Sequence, residues 1–560
     1  MTIETNGQLL VRMDLAAKGF AQAWPDSEPL FLNEAQRPPH PPEIAPANYW
    51  QLQHTSASDH PWDAAHAFRA SAVDRGVGSA FVEPDLLHRL PIVVPEPEGR
   101  VGAAGPVGED KPVDKWYPPH DGTQVQPGWH LSFARFPSAW DINTGNQARI
   151  AHLDTGYRPH VSTPTGLLPT AGRNFYKGDP NCVIDPGTEW NAGHGTATLA
   201  LVAGGIVNLQ YFDKRGRPGG VYQGPIGGAH GAAVVPIRIG GVNGSVVHLY
   251  SSSMARGLNF ALKVGDDLPC DVVTLSHGGL PTQAWVDAVN DLYDCGIVLA
   301  AASGDNFYAV ITDIATHYTV YPSACYRAVT ATGATFDRTP YTTKQFGEMQ
   351  GNWGPDVIMK KSIGGWTPNV PWMTIRSNTS WDMTGSGTSA STPQIAAACA
   401  LWLSQYGTDL PRDWRRVEAC RVALFESAQN KKASPTKIGV GMVDAFEMLN
   451  PVRSAQLQAE ALKANGGTLR CIPRDVLCCP FLQLLLGLDP PGTPVDEMYN
   501  LEALQLASRS SNRRLATTFE AYPTGRGIPK SLRRSLRDDF MNEPDISRTL
   551  RRRLAVVTIR

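Results

Sequence analysis

The sequence predicts an α/β protein: a three-layer fold with a mainly parallel central sheet, a small N-terminal α+β region and a helical C-terminal region. Three observations carry this. Short runs apolar on both faces, ARIAHLD, AAVVPIRI, DVVTLS, GIVLAAAS and ACYRAVTATGA, recur between residue 129 and about 450, as strands buried in a parallel sheet do. Helix-like stretches such as SSSMARGLNFALKVG and QAWVDAVNDLYD lie between them and supply the crossovers that parallel strands need. At 560 residues the chain exceeds what one core usually holds, and 42% hydrophobic with 18% charged residues makes most of it globular.

The elements fall into four segments. Residues 1–90 form a first region, closed by a Pro- and Gly-rich stretch over 91–127 that lacks apolar periodicity and reads as a linker. Residues 128–450 hold the alternating strands and helices. Residues 451–560 change character: SAQLQAEALKANGG reads as a helix stopped by glycines, and KSLRRSLRDDF and RTLRRRLAVVTIR are arginine-rich. Those arginines read as solvated helical faces rather than a nucleic-acid contact, and a formal net charge of −2 gives no general attraction to nucleic acid or anionic membrane. A partner for this last region stays open.

The longest apolar run, VLCCPFLQLLLGL, is too short to span a bilayer. The start MTIETNGQLLVRMDLA lacks the basic and apolar stretches of a secretory signal, so the expected location is cytoplasmic, with secretion as the alternative. The nine cysteines are scattered without the two-plus-two spacing of a zinc site, and Cys471, Cys478 and Cys479 are expected as packed thiols. No metal-ligating residue is named and no cofactor is required.

In open parallel sheets, ligand-touching groups sit past the carboxyl ends of strands. After ARIAHL comes Asp154 in DTG, which alone is most often a turn; aspartic proteases carry the same letters but need two such carboxylates, and no second DTG or DSG exists. Forty residues on, NAGHGTATLALVAGG sets His194 between glycines at the threshold of a small-residue helix; alone, it would merely cap that helix. A third stretch, TGSGTSASTPQIAAACALWL, crowds hydroxyls at the mouth of a buried helix. Thr388 and Ser389 are expected to lead into that helix with Pro393 in its first turn, where proline does least harm. An N-cap would explain one hydroxyl, but not the whole GTSAST run with its paired glycines. Asp154, His194 and Ser389 are the parts of an orienting carboxylate, a base and a nucleophile: a serine needs an imidazole to take its proton, and the imidazole needs a carboxylate to fix its tautomer.

The stretches AHLDTG, NAGHGTAT and GTSASTP, in this order, resemble the three signatures of the subtilisin-like serine peptidases. The resemblance runs from about Trp129 to Leu449, from SAWDINTG to GVGMVDAFEML. It implies a subtilisin-like fold and a serine endopeptidase working through an acyl-enzyme, with Asp154, His194 and Ser389 in the three roles and a peptide or protein as substrate. Structural calcium is common in the family, but no acidic loop is dense enough to name ligands. The family strand GIVLAAAS normally ends in an Asn that donates to the oxyanion. Here the ungapped reading puts Asp305 there and Asn306 one step later. An ionised Asp305 would repel the oxyanion and a protonated one would donate, whereas loss of the donor costs on the order of 10²- to 10³-fold, a magnitude established in subtilisin itself.

The resemblance also implies that substrate is held as an added strand on Ser276, His277, Gly278 and Gly279, where the family has Ser-Leu-Gly-Gly. Ala302, Ser303 and Gly304 would wall the first specificity pocket, and His277, replacing an apolar residue, would favour an acidic or polar substrate side chain. SAFVEPDLLHRLP resembles the end of an inhibitory propeptide, so residues 1–90 read as such a segment or as an unrelated binding module. The competing function is a catalytically silent relative that binds peptides in the same cleft. A lipase-like hydrolase is excluded because no G-x-S-x-G surrounds Ser389.

Overall fold

The computed structural model describes residues 3–13, 23–32, 48–53, 60–76, 80–91, 126–187, 192–212, 218–243, 246–263, 269–307, 318–342, 349–431, 437–477, 481–486, 493–510, 512, 514–515, 518 and 528–557. Residues 92–125 of the expected linker, with Cys478 and Cys479, lie outside them. Near the amino terminus, β1 (Thr5–Met13), β2 (Glu28–Pro29) and β3 (Asn48–Gln53) precede α1 (Pro61–Asp74) and β4 (Ala80–Pro91). β1 runs antiparallel between β3 and β4. Trp62, Ala65, Phe68 and Ala72 recur every three or four residues, so one face of α1 is buried, while Pro61 opens the helix and His60 accepts from the Trp62 amide.

The central unit follows: β5 (Arg149–Asp154), β6 (Arg173–Asn174), α2 (His194–Ala203), the hairpin of β7 (Ile206–Phe212) and β8 (Pro218–Pro225), and β9 (Ala233–Arg238). β10 (Gly240–Asn243) and β11 (Val246–Tyr250) lead to α3 (Ser251–Phe260), β12 (Val272–Leu275), α4 (Gln283–Asp294) and β13 (Val298–Ala302). Then come β14 (Asp305–Phe307), β15 (Val329–Ala334), β16 (Met349–Gly351), β17 (Ser362–Trp366), β18 (Val370–Met373), β19 (Trp381–Gly385), α5 (Gly387–Tyr406) and α6 (Trp414–Ser427).

Seven strands form the expected parallel sheet in the order β17-β15-β13-β12-β5-β9-β6. The five apolar runs read from sequence become β5, β9, β12, β13 and β15. On one face α5 and α6 pack through Ile395, Ala396, Cys399, Leu403, Val417 and Leu424, all buried. On the other, α3 and α4 share a core with the N-terminal region and the C-terminal helices.

Helix α5 begins earlier than expected. Its first residue is Gly387, at φ +80, so Pro393 sits in the second turn and not the first. A proline there cannot donate to the carbonyl four residues back, that of Ser389. The Ser276 hydroxyl donates to this carbonyl instead, at 3.1 Å.

The last region is helical, with α7 (Pro451–Leu462), α8 (Phe481–Leu486), α9 (Pro494–Arg509), α10 (Lys530–Asn542) and α11 (Arg548–Ala555). It grips the first. Asp63 of α1 accepts from the Thr549 amide at 2.9 Å and the Arg548 amide at 3.1 Å, so a carboxylate of the N-terminal region covers the open N–H groups of α11. Gln505 accepts from the Trp62 indole at 3.0 Å and donates to the Pro281 carbonyl at 2.8 Å. Arg12 pairs with Asp287 of α4 and Glu497 of α9, joining all three regions. Several of the terminal arginines are therefore paired, Arg509 with Asp545 and Arg548 with Asp63. Asp63→Ala should cost about 2 kcal/mol at this junction, read as faster hydrogen exchange across residues 61–74.

The described cysteines are free, and Cys471 is exposed rather than packed because the loop after α7 carries it to the surface. Among the described residues no helix is long and apolar enough to cross a membrane.

Candidate active site

Asp154 ends β5, which lies between β12 and β9 in the sheet, and is 1% exposed. His194 opens α2, and the two meet, with Nδ1 2.8 Å from Oδ1. Both flanking glycines have steric reasons. Gly193 has φ +98, and a Cβ on Gly195 would lie 2.0 Å from the Gly156 carbonyl oxygen, so a larger residue would push the imidazole off the carboxylate. Four residues after His194, on the same helical face, Thr198 donates to Asp154 Oδ2 at 2.9 Å. With that proton committed, the contact of His152 Nε2 with the Thr198 oxygen at 2.8 Å has the ring as donor. Burial pushes the Asp154 carboxyl up, but the His194 and His277 imidazoles more than offset it and hold it well below the usual carboxylate range.

His277 is buried behind this pair. Its Nε2 lies 3.0 Å from Asp154 Oδ1 and its ring centroid 4.7 Å from that of His194, yet the ring nitrogen makes no aligned hydrogen bond. At 3% exposure it faces the carboxylate. Burial lowers its pKa against the pull of Asp154. Trp372 meets the His194 ring edge to face at 5.6 Å.

Ser389 lies in the first turn of α5, partly exposed, and its hydroxyl donates to the Ser276 carbonyl at 3.1 Å. Among the described residues it makes this bond rather than one to His194.

Asp305 begins β14 and reaches the same helix start. Its carboxylate accepts from the Thr388 amide at 2.9 and 3.1 Å and from the Thr388 hydroxyl at 3.0 Å, and the Ser389 amide supports it too. Burial pushes this carboxyl up to about 6 against those donors. A rim of the side chain still touches solvent. The side chain of Asn306 lies outside the described residues; its backbone pairs with Gln350.

The expected pocket wall follows β13. Ser303 is buried and donates to the Asn352 carbonyl at 2.7 Å, Ala302 is buried, and Gly304, at φ +102, accepts from the Thr388 hydroxyl. A Cβ on Gly278 would lie 2.3 Å from a Val320 methyl, and Gly279 exchanges backbone bonds with Tyr321 at 2.8 and 3.1 Å. Leu87–Pro91 of β4 pair antiparallel with Val246–Tyr250 of β11. His88 lies over Gly279, accepts from the Leu280 amide at 3.3 Å and meets the Ser251 hydroxyl at 2.9 Å.

Two carboxylates of β4, spaced two apart and so on one face, anchor this strand. Glu83 accepts from the Gln283 and Ala284 amides at 3.1 and 2.8 Å, at the start of α4. Asp85 accepts from the Ser252 amide and hydroxyl at 2.8 and 2.7 Å, at the start of α3. Burial raises both, Glu83 to about 8. Sequence reading missed Glu83, Asp85, His88, His152 and Thr198; the E-x-D spacing in FVEPDLLH and the His-x-x-x-Thr turn were the available signals.

Comparison with known proteins places the chain in a family. The subtilase family model matches residues 145–441. Thermitase of Thermoactinomyces vulgaris is 26% identical over 313 residues, 56% of this chain and 91% of thermitase. A solved structure of a protease from Pseudoalteromonas arctica PAMC 21717 aligns at 22% identity and a TM-score of 0.41, covering 56% of this chain and 92% of that one. With a match over more than half its length, the chain belongs to the subtilase family and is a serine-type endopeptidase.

Proposed function

We propose that this endopeptidase works through an acyl-enzyme built by Ser389, His194 and Asp154, and that the intact chain is held latent by its own N-terminal region. His194 Nε2 takes the Ser389 proton as Oγ bonds the scissile carbonyl carbon. The same proton goes to the departing amine as the C–N bond breaks, and water then repeats the cycle on the ester. Asp154, 2.8 Å from Nδ1, keeps the proton there so that Nε2 presents its lone pair.

The observation that carries latency is the register of β4 on β11. Residues 87–91 make a main-chain ladder on β11 of the kind an extended peptide would make, and the His88 ring within it lies against Gly279. A chain that fills its own strand site must vacate it before cutting anything else.

Labelling with a fluorophosphonate probe tests both parts. The intact chain should label slowly, a form cut between residues 92 and 127 should label fast once residues 1–91 are removed, and Ser389→Ala should not label at all. Equal labelling of intact and stripped forms would remove the latency reading. No labelling of any form would favour the silent peptide-binding relative.

A further inference from the structure

Among the described residues, one group of His, Cys, Asp or Glu side chains gathers three donor atoms within 4.8 Å of one another: Asp154, His194 and His277, all buried. Two of them belong to the proposed triad, but the third has no part in it. His277 Nε2 is enclosed, has no aligned hydrogen-bond partner, and points at the Asp154 carboxylate from 3.0 Å. A ring nitrogen that close to a carboxylate oxygen needs a positive centre between them, since two lone pairs would repel. A proton on Nε2 meets that need in the metal-free protein, and a metal ion would take its place.

We propose that Asp154, His194 and His277 bind a divalent transition metal, zinc by the character of the donors, and that occupancy silences the peptidase. Two imidazole nitrogens and one carboxylate oxygen are a zinc set, whereas calcium and magnesium take oxygen donors. Donors held tetrahedrally at zinc distances sit roughly 3.3 Å apart. The Asp154–His194 and Asp154–His277 pairs, at 2.8 and 3.0 Å, need to open by only a few tenths of an ångström, while the two ring nitrogens, within 4.8 Å of each other, must come to the same spacing. Water completes the fourth position.

Silencing follows from the tautomer, and this part rests on His194 being the base. Metal at Nδ1 uses the lone pair there, so the ring proton moves to Nε2 and the imidazole stays neutral. Nε2 is then a donor and cannot accept the Ser389 proton. No bond to substrate forms or breaks, no co-reactant is consumed, and removal of the metal restores the original tautomer.

The test uses the full chain with Ser389→Ala, which cannot digest itself, titrated with Co²⁺ as a spectroscopic probe and then with Zn²⁺. One ligand-field band that saturates at one metal per chain and is displaced by zinc is expected. His277→Leu or His277→Gln on the same background should weaken it on the order of 100-fold. Equal uptake with and without His277, or no zinc-displaceable band, would overturn the site. With Ser389 intact, zinc should stop peptide hydrolysis and a chelator should restore it. The half-inhibitory concentration should rise on the order of 100-fold in His277→Leu, each variant compared with its own zinc-free rate. Hydrolysis indifferent to zinc would overturn the inhibitory role. Absence of hydrolysis in metal-free enzyme would instead count against the peptidase mechanism and leave the cobalt result to decide the site.

Discussion

An intact chain carrying Glu83→Ala and Asp85→Ala should hydrolyse a peptide on the order of 10³-fold faster than the intact parent. The two carboxylates cover the open N–H groups at the starts of α4 and α3, four contacts of 2.7 to 3.1 Å, and all are lost together when β4 leaves. Each set contributes about 2 kcal/mol, so the pair shifts the docked-to-open ratio by about 4 kcal/mol, or roughly three decades. The rate must be read on chains shown by intact mass to be uncut, because cleavage after residue 91 would raise activity by another route. Unchanged turnover, with hydrogen exchange showing β4 released, would mean that the strand does not block the cleft. The sign with pH also follows. Burial raises the Glu83 carboxyl from 4.5 to about 8, so its support for docking is complete below about pH 4.5 and is lost as pH climbs through 8. Alkaline solution should therefore loosen the parent more than Glu83→Gln.

The stretches that build the candidate site were legible because each is local. DTG, GHGT and GTSAST each fix a turn and a side chain within a few residues, and the sheet that brings Asp154 and His194 to 2.8 Å was written in runs apolar on both faces. What binds the regions to one another was not legible. Glu83 reaches an amide 201 residues away and Asp63 one 486 residues away, and no periodicity in either stretch marks such a pairing. Reading His277 as a contact for substrate side chains followed from its place in SHGG, but strand geometry alone cannot tell which face a residue after a strand end will take. In the folded chain it turns inward to Asp154. The first region's strands were likewise obscured, since WPDSEPLFLNEAQRPPHPPE interrupts their pattern while β1, β3 and β4 pair across it.

Asp305→Asn should raise turnover at pH 8 about 100-fold and remove the fall in rate expected of the parent above pH 6. The carboxylate of Asp305 takes up the Thr388 amide, with support from that of Ser389, at the mouth of α5, where the proposed mechanism would need donors for a developing oxyanion. While ionised it occupies those donors and repels a second negative charge; protonated, it becomes a donor itself. With burial pushing its pKa up to about 6, about one molecule in a hundred is protonated at pH 8. An asparagine donates at every pH, so the rate should stop tracking that proton, in kcat rather than in KM, because the charge develops only in the transition state. Stability should move the same way. The folded chain holds this proton more tightly than the unfolded one, so the stability it contributes is complete below about pH 4 and is lost as pH rises through 6. At pH 7 the ionised group costs at most about 3 kcal/mol, and less in proportion to the rim that water screens. A variant that is more stable at pH 8 but turns over more slowly would separate the two effects. The carboxylate would then be needed in its charged form, to hold the Ser389 amide and the start of α5 in place rather than to meet the oxyanion.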